Sequence, residues 1–318
     1  DREGWVASGI RLWKRRSMQR MFGQVKRAKF AEDRTRYPNR RHMVWGNAEI
    51  GKDGDRVRVE DGFLRSSGLG AELVPALSLV LDDLGIHYYP RRPSRLETLI
   101  EARATLRPDQ RLRAERLVLQ LTKDGISKYN IGGAAPALPD GHRVLVPGQV
   151  EEDASIRLGA GEIRSNDALF QAVRDACSDA VLVYKPHPDV EAGLRPGAID
   201  ASQANMVVTG TDPSALLPEI DEVWTMTSLI GFEALLHGIP VTTLGAPFYA
   251  GWGLTTDLGE VPKRRRAQPD LMGLVHASLI DYPRYLDPLT GAICPVEVVV
   301  ERIGKGPIPH PGPANCLL

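Results

Sequence analysis

At 318 residues the chain has room for two domains of about 150 residues, each with its own core. Forty Lys and Arg balance forty Asp and Glu, so no global field recruits nucleic acid. Cys177, Cys294 and Cys316 lack metal-ligand spacing and leave one thiol unpaired, which argues against zinc and fits a reducing cytoplasm.

The first 41 residues are rich in Arg and Lys ("RLWKRR", "KRAKF", "NRRH") and interleave Trp5, Trp13, Met18, Met21 and Phe22. That pattern suits a face for a membrane surface or an anionic partner; a solvated helix whose apolar side packs on its own domain explains it equally well. No apolar run approaches the ~20 residues that span a bilayer and no signal peptide is visible, so a soluble or peripheral protein is expected. Asp1 is not an initiator methionine and the opening reads as helical, so the chain is expected to be a piece of something longer.

"HMVWG" and "RVRVED" read as strands, the second ending in adjacent acids, Glu60 and Asp61, before Gly62, Arg65 and a Ser/Gly-rich turn. Strand residues alternate faces, so one acid can point to a cleft as a general acid/base; a salt bridge to Arg65 or Arg58 is the competing explanation. The only Asp-x-Asp, Asp53 and Asp55, looks like a polar turn, which makes a metal-bridged diphosphate site improbable. "GLG" at Gly68–Gly70 and "GAG" at Gly159–Gly161 lack dinucleotide spacing, and no Walker sequence occurs, which weakens dehydrogenase and NTPase readings. Ser94 and Glu97 form a capping box at a helix start. The Gly/Ala/Pro-rich segment Gly132–Arg143 marks a domain boundary, dividing the chain into an α/β domain over 1–138, a second over 139–290, and a C-terminal helix and flexible tail over 291–318.

"RVLVPG", "AVLVYK", "NMVVTG", "EVWTM" and "IPVTTLG" alternate with helical stretches, as in a doubly wound parallel sheet, where ligands sit beyond the carboxyl ends of the strands. Three such ends carry polar residues and would define one cleft. The first carries Gln149, Glu151, Glu152 and Asp153. The second is "YKPHPD", where Pro186 and Pro188 fix the backbone of His187, with Lys185 adding charge. Such an imidazole could donate to a departing phosphate, although a His after a strand is often structural. In the third, Thr227 or Ser228 caps a helix ending at Gly238; its free N–H groups make an anion site, and Glu233 one turn on could accept from ribose hydroxyls. An ordinary capped helix with a partly buried glutamate has the same residues. Tyr249 and Trp252 in "FYAGW" would touch sugar or base, or pack the interdomain hinge.

The ordered set "VEDGFLRSSGLG", "PGQVEEDASI", "YKPHPDV", "TSLIGFEALLHGIPV", "APFYAGWGLT" and "YPRYLDPLTG", within a match from about Trp13 to Arg302, resembles the bacterial capsule polysaccharide β-Kdo transferases of the KpsC type. The resemblance implies an α/β GT-B architecture: two Rossmann-like domains, an N-terminal one for the acceptor and a C-terminal one for the CMP-sugar, with a cleft between them. It implies retaining transfer of Kdo from CMP-Kdo to a lipid-linked Kdo oligosaccharide, by double displacement with Asp153 as nucleophile and Glu60 or Asp61 as acid/base. Lys185, His187, Pro188, Thr227, Ser228 and Glu233 fall in the matching nucleotide-binding motifs, and Gln149 and Arg65 are expected to touch substrate. No cofactor or metal is expected, because one phosphate leaves and His187, Lys185 and helix N–H groups can stabilise it. The opening and closing segments resemble the second of two modules carried in one chain, implying β-(2→7) linkage and a partner module. The location implied is cytoplasmic, peripheral to the inner membrane. A nucleophilic carboxylate approaching a carbon that bears another carboxylate calls for nearby cations; Arg65, Arg157 and Lys185 are the candidates. A CDP-glycerol-type polyol phosphotransferase and a noncatalytic nucleotide-binding module are the competing readings.

Overall fold

Runs of Val, Leu and Ile alternating with amphipathic helices yield two sheets in a computed structural model that describes residues 2–46, 56–68, 73–306 and 308. Asp53, Asp55, Leu69, Gly70, Cys316 and most of the expected flexible tail lie outside these residues.

The first sheet is built from β1 (Trp5–Ser8), β2 (Lys29–Phe30), β3 (Arg41–Trp45), β4 (Arg56–Asp61) and β5 (Ser78–Asp82). The second contains β6 (Arg143–Pro147), β7 (Val181–Lys185), β8 (Met206–Val207), β9 (Glu222–Thr225), β10 (Val241–Thr243) and β11 (Thr256–Asp257). It runs in the order β11-β10-β9-β6-β7-β8, all parallel, so the carboxyl ends of its strands point one way. All seven runs read as strands in the sequence fall on strands.

Two expectations are corrected. The opening is a strand, not helix: Trp5, Val6 and Ala7 are buried between β2 and β3, flanked by Gly4 and Gly9 at positive φ, and only then does the helix Leu12–Phe22 begin. A strand covered on both faces shows no polar alternation, which is why the run does not announce itself. The boundary drawn at 290 also fails to follow the sheets. The chain leaves the second sheet before β12 (Pro283–Leu286), which pairs antiparallel with β5 through Pro283↔Val80 and Tyr285↔Ser78, and β13 (Ile293–Cys294) adds beside it. "PRYL" contains no β-branched residue and begins with proline, tolerated as the first residue of a strand. The expected C-terminal helix is present as Val296–Gly304, burying Val296, Val299, Val300 and Ile303 and pairing Glu297 with Arg113.

Among the bonds that join the two halves, two groups centre on buried polar residues. The segment Ser127–Ile131 bonds to both: Arg65 and Ser66 donate backbone N–H to Lys128 O, while Lys128 N–H donates to Glu233 Oε1 (2.8 Å). Ser127 Oγ and Ile131 N donate to Asp212 Oδ2, and Asn130 Nδ2 to Ser66 O. The second centres on Glu97, buried in the capped helix Arg95–Ala102, which accepts from Arg264 Nε and Arg265 Nε at 2.8 Å each. Arg265 extends to the carbonyls of Pro247 and Ala250, and Phe63 stacks on Phe248 at 4.4 Å. Removing one member of a buried ion pair strands the other. Glu97→Ala is therefore expected to lower stability by about 3 kcal/mol in urea unfolding, and Glu97→Ala/Arg265→Ala to cost less than the sum of the two single changes.

Candidate active site

The carboxyl ends of the second sheet face the end of β4 across a cavity of ≈ 330 Å³. Eleven of the residues named from the sequence line it: Glu60, Asp61, Arg65, Gln149, Asp153, Lys185, His187, Pro188, Thr227, Ser228 and Glu233. Position in the wall does not give them equal parts.

Glu60 and Asp61 are adjacent but chemically distinct. Asp61 accepts from Lys14 Nζ (3.1 Å to each oxygen) and from Arg65 Nε (2.8 Å). Burial pushes its carboxyl up, but Arg65 and Lys14 outweigh it and hold the group below the usual carboxylate range. Lys14 itself, lowered by burial, lies 3.5 Å from the Trp45 ring centroid. Glu60 has no such pairing: burial, then the charge of Asp61, push its pKa up to about 7. Its niche is tight. At Gly46, where φ is +48°, a Cβ would come within 2.6 Å of Glu60 Oε2 and 3.2 Å of Tyr88 OH.

Across the cavity Asp153 caps the helix Ala154–Gly159, its Oδ2 accepting from Ser155 N (3.1 Å) and Ser155 Oγ (2.7 Å). Asp153 is an exposed residue that faces the cavity. Partial burial raises its pKa, and the Ser155 hydrogen bonds with the charges of Lys128 and Arg195 more than compensate, so the carboxyl lies below its ordinary value. Glu60 and Asp153, facing the same cavity, are thus displaced in opposite directions.

The third wall is made by Lys185, His187 and the start of the helix Leu229–Leu236. Lys185 ends β7 with 2% exposure, and its Nζ finds no partner among the described residues. His187 Nδ1 accepts from Asp189 N–H (3.1 Å), the ring standing at the cap position before Pro188. Burial lowers its pKa to about 4, so at neutral pH the ring is neutral and carries its proton on Nε2, leaving a donor. Ser228 is the cap, with Oγ accepting from Ile230 N. Thr227 is held by Gln149, which donates through Nε2 to Thr227 Oγ1 and accepts through Oε1 from Thr227 N, 3.0 Å each. Glu233 is pushed up to about 8, chiefly by burial.

Gln149 and Arg65 are therefore engaged with protein: Gln149 positions Thr227, and Arg65 positions Asp61 and donates to Ser66 Oγ. Arg157 lies away from this cavity, on a neighbouring one. The packing explanation holds for Tyr249 and Trp252, 0% and 1% exposed; Phe248 alone of that loop lines the cavity. Sequence reasoning missed Lys128, whose charge acts on Asp153, Glu233, His87 and His187, and it missed His87 and Tyr88. The "IHYYP" run, separated from the end of β5 by three residues, is the one signal that could have drawn attention to the last two.

Comparison with known proteins gives this geometry a family. The model for "Capsule polysaccharide biosynthesis protein" matches residues 37–132 and 133–285, and the chain belongs to that family. The capsule polysaccharide modification protein LipA of Neisseria meningitidis is 41% identical over 308 residues, covering 89% of this chain and 43% of that protein. The lipopolysaccharide-processing protein LpsZ of Rhizobium meliloti is 39% identical over 315 residues, covering 91% and 71%. The chain thus spans less than half the length of LipA. Among solved structures, the β-Kdo 2,4 transferase of Thermosulfurimonas dismutans KpsC superposes with TM-score 0.84 at 30% identity, covering 96% of this chain and 99% of that one. The 2,7 transferase of the same KpsC gives 0.78 at 33%, covering 95% and 99%. The fold is the GT-B-like glycosyltransferase fold.

The raised Glu233 has a consequence for stability. Its carboxyl keeps a proton in the folded state up to about pH 8, while the unfolded chain releases it near the ordinary glutamate value of 4.5. Between those values the folded state binds more protons, so stability falls as pH rises. Glu233→Gln is expected to flatten that decline and to be the more stable protein at pH 8, by on the order of 1–3 kcal/mol, in urea unfolding compared at pH 5 and pH 8.

Proposed function

We propose that this member of the capsule polysaccharide biosynthesis family transfers β-Kdo from CMP-Kdo to a Kdo-bearing glycolipid with retention of configuration. The observation that carries the reading is the pair of oppositely tuned carboxyls, Asp153 and Glu60, lining one cavity. In the first step the ionised Asp153 attacks the anomeric carbon. The bond from that carbon to the phosphate oxygen breaks, and CMP departs with the electron pair. In the second, Glu60 takes the proton of the acceptor hydroxyl as its oxygen attacks the same carbon, and Asp153 leaves as carboxylate. Two inversions give retention. A base with a pKa near 7 is suited to the second step, whereas Asp61, ion-paired to Lys14 and Arg65, is suited to hold the strand end.

Lys185, the Nε2–H of His187 and the N–H groups following Ser228 are the donors for the departing phosphate. Lys128 supplies positive charge beside Asp153, where the sugar carboxylate would otherwise repel the nucleophile. For the linkage, the 2,7 transferase shares more sequence with this chain and the 2,4 transferase more backbone; the terminal motifs favour β-(2→7). The activity is placed on the cytoplasmic face of the inner membrane. The exposed Arg11, Arg20, Lys26 and Arg27, with Leu12 at 60% and Val25 at 73% exposure, support adsorption to an anionic surface. No helix among the described residues is long and apolar enough to cross a membrane.

Intact-mass spectrometry after incubation with CMP-Kdo should show one added Kdo, absent in Asp153→Ala and persisting longer in Glu60→Gln, with NMR of the product giving a β-(2→7) linkage. A wild-type protein that turns over without any trappable adduct contradicts the double displacement. Flotation with anionic liposomes should be strong at low salt and fade at high salt, as screening requires; binding indifferent to salt and to lipid charge contradicts the membrane assignment.

A further inference from the structure

Beside the catalytic cavity lies a larger groove of ≈ 1200 Å³, lined by residues of both halves of the chain. Gly159 and Ala246 line both spaces, while Tyr88 lines the first and Tyr89 the second. A Cβ at Gly159 would lie 3.2 Å from Tyr88 O and 3.3 Å from Thr227 Cγ2, so the partition there leaves little room for a side chain.

The groove carries four cations, Arg91, Arg157, Arg164 and Lys263, against two acids, Glu162 and Glu260. None of the four makes an ion pair among the described residues; Arg164 donates only to the Gly161 carbonyl. The contrast with the nearby helices is sharp: Arg95, Arg107, Arg111 and Arg113, also exposed or partly so, each face a carboxylate within 3.0 Å. Apolar residues, Pro90, Leu158, Leu244 and Val261, share the lining with the charged ones. A volume beyond the ~300–1,000 Å³ of ordinary small-molecule pockets suits an extended ligand.

We infer that this groove seats the carboxylate-bearing saccharide of the acceptor, with Arg91 and Arg157 pairing with acid groups one or more sugars back from the reacting end. The inference rests on the functional reading above and adds to it where the acceptor chain runs. Guanidinium groups match carboxylates in two-point geometry, and the apolar surface takes the C–H faces of sugar rings.

The test is direct binding to the full chain, followed by fluorescence anisotropy of a labelled Kdo trisaccharide and a labelled single Kdo, with CMP titrated in the same samples. The trisaccharide should bind about tenfold more tightly than the single sugar, with the advantage shrinking as salt rises. Arg91→Glu/Arg157→Glu should remove that advantage and leave CMP affinity intact, which also reports that the protein is folded. Equal affinity for the two sugars in the wild type, or a trisaccharide affinity untouched by the charge reversals, overturns the inference. A Kdo-monosaccharide phosphoglycolipid weakened by the reversals while the trisaccharide is not assigns the groove to lipid phosphate and equally overturns it. CMP binding that ignores Lys185→Ala overturns the functional reading instead, while the trisaccharide still decides the groove.

Discussion

The backbone of Lys128 holds the site together. Its carbonyl accepts from Arg65 and Ser66, which follow the acidic strand end of the first half, and its N–H donates to Glu233 in the helix that opens at Ser228. A cleft between two sheets has value for catalysis only if its walls keep register to a fraction of an ångström. Two of the three bonds run backbone to backbone, and the third ends on the buried Glu233 carboxyl. The same residue lines the cavity and lends it positive charge, so one position supplies both geometry and electrostatics.

The charges follow from that closeness. Adjacent carboxyls at a strand end cannot both ionise cheaply in a partly dry site. The protein resolves the conflict by ion-pairing Asp61 with two cations, Lys14 and Arg65, while Glu60 feels the charge of Lys14 less than its own burial and the charge of Asp61, so the proton goes to Glu60. Asp153 is kept ionised by a different device, a helix cap with its hydroxyl and N–H donors. His187 uses a third, a neighbouring N–H that fixes the tautomer. Each device is local, yet the cavity needs all of them oriented inward at once.

Much of this is legible in the sequence because the second half is regular. A parallel sheet forces its ligand to the carboxyl ends of the strands, so polar residues after Val146, Tyr184 and Thr225 can be picked out from the pattern alone. The distinction between Glu60 and Asp61 is not legible, since Arg65 could pair with either acid on sequence grounds, and Lys14 lies 47 residues before Asp61 with no pattern to link them. Lys128 and His87 sit in loops whose composition is ordinary. β1 hides because it is buried on both faces, and β12 because its proline reads as a stop. The boundary near Gly132 falls close to the true strap, but nothing in "PRYLDP" signals a strand that pairs with one made far earlier in the chain.

That return has a temporal side. β5 pairs with β4 on one edge and with β12 on the other, so when the first half emerges from the ribosome its hydrogen-bonding edge at Val80 stays bare until Pro283 has been made. The whole second sheet can form in the interval, because its strands are contiguous in the chain. Closure of the older half by a strand made after the whole second sheet means that a truncated product stopping short of residue 283 carries an open, apolar edge, a ready target for quality control.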